Sequence, residues 1–307
     1  MSDPVIPHSR PTLGEEEAQA VAEVVRSGQI AQNGRVPEFE RAMAAYFGLP
    51  GGVAVSSGTV ALELALLALG IEPGDEVILP SYVCSSPWLA IQRVGAQPRL
   101  VDIEPATFAL DPDKVKGAMT ANTRAVIVPH PFGLPADLKR LQQLGVPLIE
   151  DCAQTLGGTQ HGTLAGTVGE VTICSFYATK ILCTGEGGMV LSRDAAMLEK
   201  VLMLREYDEQ PSLTPAAYNR KLTQLQAAMG RCQVAKIPRF LERRQRIASA
   251  YERGFKGAGV TLPVVPPDRT HMFYRYVVML PDPVGWTTSN RAGLDTLIGK
   301  LERRGVR

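Results

Sequence analysis

The sequence predicts an α/β protein built on a mostly parallel sheet, with a smaller C-terminal unit. Three observations carry that prediction. Short apolar runs alternate with helical patterns between residues 53 and 150, the rhythm of strand–helix–strand crossovers. Two runs, 146–151 and 174–180, end in polar residues, as buried strands do when they open on a crevice. A chain of 307 residues, 45% of them hydrophobic, can bury a large core and divide into two unequal domains.

The elements follow in order. Amphipathic helices are expected over 14–27 and 36–46, then a strand at 53–55, a tight turn at Ser56-Ser57-Gly58-Thr59, and a helix over 60–69 that is apolar on most faces. Strand 76–79, helix 86–94, strand 98–101, helix 111–119, strand 124–128, helix 136–144 and strand 147–150 continue the alternation. Closely spaced strands at 171–176 and 188–191 bracket the loop that carries Lys180. The Gly185-Glu-Gly-Gly188 stretch between them reads equally as turn chemistry or as a substrate contact. From 222 to 255 the pattern is helical, with Pro238 expected to kink or break it. A strand over 275–280 and a helix over 291–304 complete the reading. The division is placed at 1–234 for the large domain and 235–307 for the small one.

Lys180 and Asp151 are the candidate chemical pair, each at a strand end. A lysine can form a Schiff base with an aldehyde cofactor, and a carboxylate under a pyridine nitrogen keeps that nitrogen protonated, so electrons drain into the ring. Pyridoxal phosphate chemistry needs both groups. The turn at 56–59 adds an anion cradle, because the first amides of a helix lack acceptors and its N-terminus is positive. There is no GxGxxG and no GxxxxGK[ST], so the cradle suits a single small phosphate better than a dinucleotide or nucleotide triphosphate.

Ile6-Pro-His-Ser-Arg-Pro11, Ser27-Gly-Gln-Ile-Ala-Gln32, Ser56-Ser-Gly-Thr-Val-Ala-Leu62, Pro73-Gly-Asp-Glu-Val-Ile78, Leu148-Ile-Glu-Asp-Cys-Ala-Gln154, Ser175-Phe-Tyr-Ala-Thr-Lys180, Gly185-Glu-Gly-Gly-Met189 and Leu225-Gln-Ala-Ala228 stand in a telling order. Together they resemble the DegT/StrS family of nucleotide-sugar aminotransferases over essentially the whole chain. The resemblance implies the type I pyridoxal-phosphate transferase fold, in the aspartate aminotransferase group. That fold has a seven-stranded, mostly parallel sheet, a small C-terminal domain, and a homodimer with active sites at the subunit interface. It implies that Lys180 is the Schiff-base lysine and proton carrier, that Asp151 partners the pyridinium nitrogen, and that Gln154 lies beside the cofactor ring. Ser57, Gly58, Thr59 and Ser175 become phosphate ligands, and Asn219 reaches the other subunit's phosphate.

Two positions depart from the family's pattern. The aromatic and arginine that usually follow the asparagine are here Arg220 and Lys221. An aromatic that commonly stacks on the cofactor ring is here Cys84, and alternation along an extended segment aims Tyr82 to the same side, so either can approach the ring. The chain also ends where the family has further small-domain sequence, so the small domain is expected to be incomplete.

The expected activity is transamination of a nucleotide-linked keto-sugar with glutamate as donor, in two half-reactions that share Lys180. A sugar dehydratase on the same fold is the alternative reaction, opposed by a lysine where such relatives carry histidine. A regulatory member that has lost catalysis is the alternative of another class. Formal net charge is +1, which favours neither nucleic acid nor a membrane surface as partner. No apolar run reaches roughly 18 residues, and no signal peptide is recognisable, so a cytoplasmic location is expected. The five cysteines form no CxxC pair and none is spaced with a histidine as metal ligands are, so neither disulfides nor a metal is expected.

Overall fold

The computed structural model describes residues 6, 7, 9–207, 216–280, 299, 300, 302 and 303. Two helices, α1 (Glu15–Ser27) and α2 (Arg35–Phe47), precede the sheet. The Glu17 carboxylate starts α1 by accepting the Gly14 amide at 2.8 Å, and Gly28 ends it in the left-handed region that glycine enters without strain. The sheet then builds through β1 (Gly51–Val55), α3 (Gly58–Ala68), β2 (Glu76–Pro80), α4 (Ser85–Arg93), β3 (Gln97–Val101), α5 (Pro112–Ala118), β4 (Thr123–Pro129), α6 (Leu138–Gln142) and β5 (Leu148–Asp151). A two-strand hairpin, β6 (Thr159–Gln160) and β7 (Thr163–Leu164), leads to β8 (Val171–Ser175), β9 (Gly188–Ser192) and α7 (Ala195–Arg205). The long α8 (Gln224–Phe255) and the short β10 (Arg269–Thr270) follow.

The seven strands lie in the order β1-β9-β8-β5-β4-β2-β3, and only β9 runs against its neighbours. The strands read as continuous apolar runs because both faces are covered, and the pleat sorts each run between them. Val53, Val55, Val77, Leu79, Ala125, Ile127 and Ile149 pack under α3, α4 and α7. The alternate residues go to the opposite face: Ala54, Cys174 and Met189 beneath α2 and α8, and Ile78, Val126, Val128 and Leu148 beneath α5 and α6. Among the described residues no helix is long and apolar enough to cross a membrane.

The expected strands and helices from 14 to 192 form with small shifts of their ends. Helix α7 and the 159–164 hairpin were not anticipated. α8 does not break at Pro238, although the proline nitrogen has no hydrogen to give to the Val234 carbonyl; the helix crosses residue 235 unbroken, so the proposed domain division falls inside it. No strand forms over 275–280. Among the described residues one bridge, Met279 to Thr261, is the pairing there, and the preceding segment is held instead by the Gly133 and Phe132 carbonyls, which accept from Met272 N at 2.8 Å and Arg275 N at 3.2 Å. The expected helix over 291–304 lies largely outside the described residues.

One buried carboxylate ties the C-terminal edge of the sheet together. Glu150 Oε1 accepts from Val168 N and Gly169 N, each at 2.7 Å, and Oε2 accepts from Gly166 N at 2.6 Å. His130 Nδ1 accepts from Ala136 N at 3.1 Å, so its proton sits on Nε2, which donates to Glu150 at 3.2 Å. Burial pushes the Glu150 carboxyl up, but the bond from His130 and those from the Gly169 and Gly166 amides outweigh it and hold it below the ordinary range. A depressed folded pKa stabilises above the unfolded value, about 4.3, and that contribution is lost as pH falls through the folded value. Replacing Glu150 by Gln is expected to cost about 3 kcal/mol at neutral pH, read by denaturant unfolding, because one acceptor oxygen becomes a donor facing amides. The gap between parent and variant should narrow on acidification, and a gap that stays constant down to the acid limit would contradict this assignment.

Candidate active site

The cradle forms where β1 hands over to α3. Ser57 is extended, and its Oγ accepts from Val60 N at 3.2 Å while its carbonyl takes Ala61 N at 3.0 Å. Capping therefore uses the acceptor side of the hydroxyl and leaves its proton to give. The helix ladder offers no acceptor to the Gly58 and Thr59 amides, which stand at the positive end of the helix. Close approach makes glycine mandatory at two positions. A Cβ on Gly58 would stand 2.7 Å from the Cβ of Ser175, and one on Gly188 would stand 2.3 Å from the Ser57 carbonyl oxygen. Gly188 pairs with both Val55 and Ser175, so its bare backbone lets β1, β8 and the turn converge. The Thr59 and Ser86 hydroxyls are 2.7 Å apart, which brings the start of α4, with Cys84 as its exposed N-terminal flank, to the side of the cradle.

Asp151 ends β5, one strand over from Ser175 on β8. Its Oδ1 accepts from Ala153 N at 2.9 Å. Burial raises its pKa, offset in part by that amide and by the Lys180 ammonium. Lys180 sits in a turn after β8, closed by its own amide to the Tyr177 carbonyl at 2.8 Å and by Ala178 N to Gly185 O at 3.0 Å. The start of the 185–188 stretch is thus knitted to the lysine loop. Lys180 Nζ lies 5.5 Å from the centre of the Tyr274 ring, whose hydroxyl is 3.2 Å from Thr179 Oγ1. Gln154 and Lys180 share a narrow crevice with Ser175 and Phe176, and Gln154 Oε1 accepts from Phe132 N at 2.9 Å.

Tyr82 is 54% exposed and belongs to an aromatic group, its ring centre 5.7 Å from Phe108 and 6.2 Å from Phe132. The sequence-derived residues therefore converge as two sets, Ser57, Gly58, Thr59 and Ser175 on one side and Asp151, Gln154 and Lys180 on the other. Cys84 flanks the first set. Asn219 stands apart, exposed, with its Oδ1 accepting from Lys221 N at 3.4 Å.

Beyond Lys180 opens a cavity of about 550 Å³ that the sequence did not reveal. Arg10, Arg243, Arg244 and Arg275 line it together with Tyr274, and no carboxylate does so among the described residues. Arg244 Nη1 donates to the carbonyls of Phe273 and Tyr274 at 3.2 and 3.1 Å, and the Arg275 guanidinium lies 5.0 Å from the Tyr274 ring centre. The sequence analysis singles out neither Arg243, Arg244 nor Arg275; only Arg10 stands in one of its motifs, the Ile6–Pro11 stretch.

The residues fit pyridoxal phosphate: a cradle that admits no side chain at Gly58, a buried carboxyl with a raised pKa awaiting a cationic partner, and a lysine beside both. Comparison with known proteins places the chain in a family that uses this cofactor. The GDP-perosamine synthase of Caulobacter vibrioides is 34% identical over 318 residues, covering 100% of this chain and 84% of that protein. The dTDP-3-amino-3,4,6-trideoxy-alpha-D-glucose transaminase of Streptomyces venezuelae is 36% identical over 302 residues, covering 96% and 77%. The crystal structure of S. venezuelae DesV in complex with a ketimine intermediate superposes with a TM-score of 0.85 at 35% identity, covering 95% of this chain and 78% of that one. Residues 11–307 match the DegT/DnrJ/EryC1/StrS aminotransferase family, and the chain belongs to it as a pyridoxal-phosphate-dependent aminotransferase.

Proposed function

We propose that the protein transfers an amino group from glutamate to the keto carbon of a nucleotide-linked sugar, in two half-reactions at one site. The arginine-lined cavity above Lys180 carries this reading. Both partners of such a reaction are anionic, one through a diphosphate and the other through two carboxylates, and guanidinium groups bind both kinds of oxyanion through paired donors. The two curated relatives described above, a GDP-sugar and a dTDP-sugar enzyme by name, support the same substrate class.

When bound, pyridoxal phosphate supplies an electron sink for charge that develops at the substrate carbon. Ser57, Thr59, Ser175 and the Gly58 and Thr59 amides would hold its phosphate, and Gln154 its ring side. Asp151 would take the ring nitrogen. A cation placed there returns the buried carboxyl to its ionised form, the reverse of what burial alone does. Lys180 Nζ would carry the proton between the two carbons, oriented by the closed 177–180 turn and the Tyr274 ring. The Asn219 side chain, exposed on its loop, would complete the phosphate site of a two-fold partner.

Mass spectrometry of the enzyme with glutamate and a panel of keto-sugar nucleotides should show one aminated nucleotide sugar with matching 2-oxoglutarate. Amination of non-nucleotide ketones alone would discard the substrate class. Lys180→Ala should abolish turnover in the same assay, and retained turnover would exclude Lys180 as proton carrier. Asn219→Ala should weaken cofactor binding about tenfold to a hundredfold, the equivalent of about 1.5 to 3 kcal/mol for one charge-assisted hydrogen bond, without unfolding the protein. Unchanged cofactor affinity, or a monomer with full occupancy by sedimentation, would remove Asn219 from the site.

A further inference from the structure

The replacement of the family's usual aromatic by Arg220 has a structural counterpart in α3. Arg220 turns inward rather than to solvent. Its Nη2 donates to Glu63 Oε1 at 2.7 Å, and its Nη1 to the carbonyls of Leu204 at 3.0 Å and Ala216 at 2.8 Å. The side chains of Arg220 and Glu63 are 11% and 9% exposed, so the pair is largely desolvated and bound by strong hydrogen bonds. Arg93 reaches the other Glu63 oxygen at 3.2 Å but is 67% exposed and adds little.

The backbone around Arg220 is tied to the cradle as well. Its carbonyl accepts from Ser56 N at 2.9 Å, its amide donates to the Arg205 carbonyl at 2.9 Å, and Lys221 bridges Val55. Glu63 lies one helical turn beyond Thr59 in α3. The helix that opens the phosphate cradle and the loop that exposes Asn219 are therefore joined twice, through the Ser56 amide and through the buried ion pair.

We propose that the Glu63–Arg220 pair is a positioning device for phosphate: it holds the Ser57–Thr59 cradle and the Asn219 loop as one rigid unit, so that phosphate affinity depends on two side chains that do not touch the phosphate. This rests on the reading that Asn219 serves the partner subunit's cofactor phosphate, so that each pair links its own cradle to the neighbouring site. Breaking one partner of a buried pair leaves the other uncompensated and frees the loop. The loss should appear in the phosphate-bearing ligand and spare one without phosphate.

The test compares equilibrium binding of pyridoxal 5′-phosphate and of pyridoxal to the full chain, by absorbance titration, in Arg220→Met, Glu63→Gln and the double variant. Each single variant should lose about tenfold in affinity for the phosphorylated ligand while pyridoxal binding stays within about twofold. The double variant should lose no more than the weaker single one, because the two residues act as a unit. In an Asn219→Ala background, Arg220→Met should bring a smaller further loss, the share that passes through the cradle alone. Equal loss for both ligands, or full additivity of Arg220→Met with either Glu63→Gln or Asn219→Ala, would overturn the proposal. Should Arg220→Met fail to fold, Arg220→Lys and the near-isosteric Glu63→Gln carry the same comparison. If the parent binds no pyridoxal 5′-phosphate, the cofactor reading fails. The pair is then judged by whether inorganic phosphate raises the melting temperature of the parent and not of Glu63→Gln.

Discussion

Two adjacent carboxylates at the end of β5 set the site, and the pleat makes them do opposite work. Glu150 points to the face where His130 and the amides of residues 166–169 saturate it, and its pKa falls. Asp151, on the opposite face of the pleat, accepts from the Ala153 amide near the Lys180 ammonium, and burial raises its pKa. The same functional group thus yields a structural anchor whose pKa falls and an acid whose pKa rises within one peptide unit. The anchor is what makes the acid useful, because it fixes β4, β5 and the loop before β8 and so keeps Asp151 in register with Ile173, two residues before Ser175. A sheet edge that shifted by an ångström would move the acid away from the Lys180 ammonium that partly offsets its raised pKa.

Steric economy does the rest. Gly58 and Gly188 are not there for freedom of rotation; each marks a place where two backbones come closer than any side chain allows. β9 runs antiparallel between β1 and β8, so its first residue, Gly188, faces both strand ends at once. That single inversion in an otherwise parallel sheet is what lets the turn after β1 lie over the end of β8.

The parallel sheet, the cradle and the Asp151–Lys180 pair were legible because each rests on local pattern: an apolar run, a serine-glycine turn, a polar residue at a strand end. What was not legible depends on contacts between distant segments. Tyr274 reaches Lys180 because the 271–275 segment hydrogen-bonds to the His130–Gly133 turn rather than forming its own strand, and no periodicity announces such an anchor. Arg10 and Arg243 meet only because α1 and α8 pack together, fixed by Lys236 Nζ at 2.6 Å and Gln233 Nε2 at 2.7 Å from the buried Glu17. Pro238 does not end α8 for the reverse reason: the packing of α2 and α8 carries the helix past the loss of one backbone hydrogen bond.

Arg220 shows how a departure from a family's pattern is to be weighed. Taken as a lone change, an arginine in place of an aromatic weakens the case that the neighbouring asparagine keeps its role. The structure supplies the missing half, a buried glutamate on α3 placed to receive it. A buried charge without a partner is expensive, so Arg220 and Glu63 make physical sense only together. The pair leaves Asn219 on the outward side of the loop, where alternation along an extended backbone puts the residue next to an inward-facing one. The substitution therefore changes how the loop is held while Asn219 stays exposed on it.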